Sequence, residues 1–94
     1  MTIAETIRVK LTSTFAPAEL AIEDDSARHA GHSGARPGGQ THFNVRIVSD
    51  AFEGLSRVER QRRVYAALAA ELRTDRIHAL SLTTLTPAEV WQEH

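Results

Sequence analysis

The amino-acid sequence predicts an α+β domain, three strands with helices on one face, in the order helix, strand, strand, one or two helices, strand, short helix. Three observations carry this. Ile3, Ile7, Leu11 and Phe15 recur every four residues, the spacing of one helix face. Thr41, Phe43, Val45 and Ile47 alternate with His42, Asn44 and Arg46, the period of a half-buried strand. Thr2-x-x-Glu5, Ser56-x-x-Glu59 and Thr86-x-x-Glu89 each fit a capping box, in which a hydroxyl and a carboxylate satisfy amides at a helix start.

The first helix should run from about Thr2 to Thr14 and stop before Pro17, because the residue before a proline is pushed out of helical geometry. Leu20 and Ile22 alternate with Ala21 and Glu23, which predicts a short strand over 19–24. Residues 25–40 hold Gly31, Gly34, Pro37, Gly38 and Gly39 with no periodicity, a long surface loop that carries His29 and His32. The second strand spans about 41–49, so the first two strands should form an antiparallel hairpin around that loop. After a turn at Gly54, Val58, Arg62, Tyr65, Leu68 and Leu72 line one helical face, with Val64 and Ala69 beside them. This helical region should end near Leu72. His78 opens a third strand in which Leu80 and Leu82 share one face, while Ala79, Ser81 and Thr83 take the other. Thr86-Pro87-Ala88-Glu89 then starts a short C-terminal helix, with proline at the first helical position and Trp91 expected to fold back onto the body.

The chain has 94 residues, 41% hydrophobic and 24% charged, which suits one domain over 1–94 with one modest core. No apolar run approaches the roughly 20 residues that cross a bilayer. The N-terminus lacks the basic and apolar segments of a secretory signal, so a cytoplasmic protein with no membrane contact is expected. There is no cysteine, which excludes disulfides, a thiol nucleophile and a zinc-finger framework. The net charge of −1 argues against strong non-specific attraction to nucleic acid.

Over nearly the whole chain, the order and spacing of short motifs are similar to those of the BolA family. The pieces are Asp25-Ser26, Arg28-His29, Thr41-His42-Phe43, Val48-Ser49, Phe52-x-Gly54 and Ser56. They continue with Arg60-x-Arg62, Val64-Tyr65, Leu68, Glu71-Leu72, His78-Ala79-Leu80, and Thr86-Pro87 with Glu89 and Trp91. The chain departs from the pattern at Gln61, where the family often has histidine, at Gln40, where it often has glutamate, and at Val90, which separates Glu89 from Trp91. Its loop is also long and carries His32 in addition to His29. The resemblance implies a fold like the second class of KH domains, an αββααβ sandwich with a three-stranded sheet and a short C-terminal helix. It further implies a monothiol glutaredoxin partner and a [2Fe-2S] cluster held between the two proteins. The glutaredoxin cysteine and a bound glutathione thiol take one side. The side of this chain is taken by the histidine matched at His78, plus a histidine of the loop. A cysteine-free chain cannot hold such a cluster alone, since thiolates are its main anchors.

Each candidate also has an ordinary structural reading. A lone histidine at a strand start is usually a satisfied, partly buried residue; the resemblance is what makes His78 a ligand. His29 matches the family's loop position and ranks just ahead of His32, which sits between Gly31 and Gly34. His42 reads first as a sheet-surface residue and second as a ligand or a support for one. Arg57, Arg60, Arg62 and Arg63 read first as a solvated helix face balanced by Glu53, Glu59 and Glu71, and second as a docking face for nucleic acid or for the glutaredoxin, with Arg57, Arg60 and Arg63 as the candidate nucleic-acid contacts. Arg62 is expected nearer the apolar side, with its stem buried. Gly31-His32-Ser33-Gly34 imitates the GxxG clamp of KH domains, but it lies between strands, whereas that clamp joins helices. No catalytic constellation is present in the sequence, so the chain is expected not to be an enzyme. Two functions follow from the resemblance: a cluster-handling adaptor for glutaredoxin and, as the alternative, a DNA-binding transcriptional regulator.

Overall fold

A computed structural model describes residues 2–24, 42–74 and 76–92. Thr2 opens helix α1 (Ile3–Phe15), its backbone extended and its hydroxyl accepting the Glu5 amide at 3.1 Å. The four-residue stripe then buries Ile7, Leu11 and Phe15. The helix stops at Ala16, which takes the left-handed conformation at φ 43° and donates its amide to Thr12.

Strand β1 (Glu19–Asp24) pairs antiparallel with β2 (His42–Val48), Leu20 opposite Ile47 and Asp24 opposite Phe43. Strand β3 (Ala79–Leu85) lies parallel to β2, His42 opposite Ala79 and Val48 opposite Leu85. The sheet order is β1-β2-β3, with β2 in the centre. A parallel pair needs a crossover. Helices α2 (Arg57–Ala67) and α3 (Ala69–Arg73) supply it, after a 3-10 turn over Asp50–Phe52. Helix α4 (Pro87–Gln92) closes the order. The expected α+β architecture, including the broken second helix, is what the structure has.

Period-2 alternation sends Phe43, Val45 and Ile47 into a core shared with α1, Phe52, Val64, Leu68 and Ile77. The other face of the sheet carries Glu19, Ala21, Glu23, Asn44, Arg46, Ser81 and Thr83; Arg46 bonds Glu19 at 2.9 Å across the strands. Buried Ser49 ties three elements together. Its hydroxyl donates to the Phe15 carbonyl at 2.7 Å and accepts the Ala51 amide, while its own amide donates to Leu85.

Two expectations about packing are corrected. Helix α2 turns Arg60, Val64 and then Leu68 inward, not Val58, Arg62 and Tyr65. Val58 is 56% exposed and Tyr65 40% exposed, and Arg62 reaches out to Glu59 at 3.2 Å. Inward, the Arg60 guanidinium meets the Leu55 and Thr84 carbonyls and the Glu89 carboxylate, and it shares that side of the helix with buried Val64 and Leu68. Trp91 does not fold back: it is 80% exposed. Helix α4 is held through Thr86 and Glu89, and that attachment turns Trp91 outward.

Candidate functional site

The topology gathers the candidate ligands at one end of the sheet. β1 ends at Asp24, β2 begins at His42, and β3 begins immediately after His78. Because β2 and β3 run parallel and β1 runs against them, these three points are neighbours. Segment 25–41, with His29 and His32, starts and finishes at this end; both histidines lie outside the described residues.

His78 is exposed, but its mount is fixed. Ile77 next to it is in the core at 2% exposure. The amides of Arg76 and Ile77 both donate to the Glu71 carbonyl, at 3.0 and 3.2 Å. The Glu71 carboxylate is itself buried and takes both of its contacts from the Lys10 ammonium, at 2.8 and 2.9 Å. A clamp from α1 through α3 therefore sets where the His78 backbone emerges. Sequence reasoning missed this clamp, because Lys10 and Glu71 are 61 positions apart and each reads as a solvated charge.

His78 precedes β3 instead of opening it, and it has a neighbour. The His42 ring lies 5.5 Å from the His78 ring, centroid to centroid, with the planes 61° apart. His42 is half-buried at the start of the central strand. The structure thus brings together two of the four candidate histidines. Among the described residues, no three His, Cys, Asp or Glu side chains group closely enough to hold a metal ion. The exposed imidazole of His78 fits the role of one donor to a metal centre completed by ligands from elsewhere.

The three arginines expected to face nucleic acid are not brought together. Arg60 is corrected to a buried structural residue. Its Nη1 donates to Glu89 at 2.6 Å and to the Thr84 carbonyl at 3.0 Å, Nε donates to the Leu55 carbonyl at 3.0 Å, and Nη2 reaches Glu89 at 3.3 Å. Phe52 lies beneath the guanidinium, 5.9 Å from the ring centroid. Glu89 also closes the third capping box, accepting the Thr86 amide at 2.8 Å while its own amide donates to the Thr86 hydroxyl at 3.2 Å. These bonds, Arg60 first, hold the Glu89 carboxyl at about 2, below its ordinary 4.5. Arg57 and Arg63 are exposed on different flanks of α2. Arg57 borders a depression against Leu82–Leu85, and Arg63 one formed with Thr14, Phe15 and Ala51.

Among the described residues no helix is long and apolar enough to cross a membrane. Residues 11–89 match the protein family described as BolA-like protein. SufE-like protein 1 of Arabidopsis thaliana, a chloroplastic/mitochondrial protein by its name, is 51% identical over 88 residues, covering 89% of this chain and 24% of that protein. The Homo sapiens BolA-like protein 1 is 44% identical over 88 residues, covering 94% and 60%. This chain therefore spans less than two thirds of the length of either relative. The Escherichia coli DNA-binding transcriptional regulator BolA is 41% identical over 92 residues, covering 98% and 82%. Among solved structures, the BolA domain of Arabidopsis SufE1 superposes with a TM-score of 0.78 at 50% identity, covering 92% of this chain and 93% of that one.

Proposed function

The chain belongs to the BolA-like family, and from that premise we propose that it is a non-enzymatic adaptor that co-ligates a [2Fe-2S] cluster with a monothiol glutaredoxin. The observation that carries the reading is His78: an exposed imidazole on a fixed backbone, at the sheet end where segment 25–41 begins and finishes. The second imidazole comes from that segment, His29 ahead of His32. His29 is five residues beyond Asp24, a tether of at most about 18 Å when fully extended. His32 has a longer tether and stays a candidate.

The cluster is cargo in this reading. The glutaredoxin cysteine and glutathione supply the thiolates that the chain lacks. The residues of this chain supply neutral imidazole nitrogens, which raise the potential of a cluster relative to all-thiolate ligation. A fixed ligand at His78, joined by a second imidazole from segment 25–41, suits a cargo that is received and passed on. Visible circular dichroism of the chain titrated into cluster-loaded monothiol glutaredoxin tests the proposal. A new spectrum that saturates at one chain per glutaredoxin supports it; an unchanged spectrum overturns it.

One observation favours a second reading, DNA-binding regulation: the function in the name of the Escherichia coli relative. With Arg60 buried, that reading rests on Arg57 and Arg63. A salt-dependent shift of duplex DNA, lost in the Arg57→Ala/Arg63→Ala double variant, tests it.

A further inference from the structure

His42 and His78 are a pair of nitrogen donors in their own right, without any thiol partner. We propose that together they bind a single nitrogen-preferring divalent transition-metal ion, such as Zn(II) or Cu(II), with water completing its coordination. The proposal goes beyond the glutaredoxin reading and stands or falls independently of it.

The spacing is the first argument. A metal sits about 2.0–2.1 Å from an imidazole nitrogen, hence roughly 3.2 Å from the ring centroid. Two centroids 5.5 Å apart then subtend roughly 120° at a shared ion, close to the tetrahedral angle zinc takes. Tetrahedral closure shortens the separation only to about 5.2 Å, and a right-angle pair for Cu(II) to about 4.5 Å. The ring planes stand 61° apart, an angle that two imidazoles on one ion can keep, and His78 has only to turn a nitrogen toward the shared ion. Its exposure leaves room for that.

Preorganisation is the second argument. His42 is fixed by the strand pairing that sets it opposite Ala79 in the central strand. His78 is fixed by buried Ile77 and by the amide bonds to Glu71. Neither backbone has to be ordered when the ion arrives, so the entropic cost is confined to two side chains. Imidazole is a donor that suits zinc, copper and nickel, and the Irving–Williams order makes Cu(II) the tightest of them.

The test uses the intact chain with no glutaredoxin present. Zn(II) and Cu(II) are titrated separately by calorimetry into the chain, into His42→Gln and His78→Gln, and into a His29→Gln/His32→Gln double variant. One ion per chain is expected, with affinity falling at least tenfold in each of the first two variants and changing less than twofold in the loop variant. Affinity within twofold of the parent in either His42→Gln or His78→Gln overturns the proposal, and so does its loss in the loop variant. Should His42→Gln fail to fold, proton NMR of the unaltered chain decides the matter. Substoichiometric Cu(II) must broaden the His42 and His78 ring protons before those of the other histidines, and the reverse order overturns the assignment.

Discussion

The Arg60 guanidinium and the Glu89 carboxylate meet at 2.6 Å, joining the start of the crossover helix α2 to the C-terminal helix α4 across the end of β3. Arg60 is 8% exposed and makes further bonds to the carbonyls of Leu55 and Thr84. Removing it takes a donor from those carbonyls, leaves the Glu89 carboxylate with the Thr86 amide but without its cation, and opens a gap over Phe52. Arg60→Ala is therefore expected to cost about 2–3 kcal/mol of unfolding free energy. Arg63→Ala, on the exposed surface, should cost less than about 0.5 kcal/mol. Urea denaturation of both variants measures the difference, and equal midpoints would show that the Arg60 network contributes nothing.

The same pair makes part of the stability depend on pH. The Glu89 carboxyl is held at about 2 in the folded chain, against 4.5 ordinarily. A depressed carboxyl stabilises the folded state fully above its unfolded value and loses that contribution as pH falls toward its folded value. The stability difference between the parent and Glu89→Gln should be constant above pH 4.5 and shrink as pH falls from 4.5 toward 2. Denaturant titrations at several pH values across that window measure it. A difference that grows on acidification contradicts the assignment.

Local signals made the elements legible, and long-range partners decided the rest. The stripe of α1, the alternation of β2 and the three capping hydroxyls all act within one element, so the sequence displays them directly. The orientation of α2 was not legible. An arginine counts as a surface residue in any pattern, and Arg60 turns inward only because Glu89 and the Thr84 carbonyl meet it there. Trp91 escapes for a related reason: it is expected to fold back onto the body, while α4 is attached through Glu89 and leaves it exposed. The nearness of His42 to His78 depends on the parallel register of strands separated by the whole helical crossover. No local pattern encodes that register.

Ala16 is the one described non-glycine residue with a positive φ, 43° at the end of α1. Side chains with a Cβ pay roughly 1 kcal/mol in this region, which glycine occupies freely. Ala16→Gly should stabilise the fold by about 0.5–1 kcal/mol, less the added freedom of glycine in the unfolded chain. Thermal unfolding checks it, with a rise of a few degrees expected. A lower midpoint would show that unfolded-state entropy outweighs the relief of strain.

His78→Ala tests the functional proposal at its central residue. The side chain is exposed, and its backbone is held by Ile77 and the Glu71 carbonyl, neither of which the substitution touches. Stability should therefore change by less than about 0.5 kcal/mol, as for other surface substitutions. Ligation, in contrast, should fail: the variant lacks the fixed imidazole donor, and the loop histidine alone cannot replace it. Mixed with cluster-loaded monothiol glutaredoxin, the variant should leave the visible circular dichroism of the glutaredoxin cluster unchanged, whereas the parent chain should generate a new spectrum at one-to-one stoichiometry. His29→Ala and His32→Ala, run beside it, identify the loop donor as whichever loses the same spectrum. A new spectrum that persists in His78→Ala would remove this residue from the ligand set and leave His29, His32 and His42 as the histidines to test in pairs.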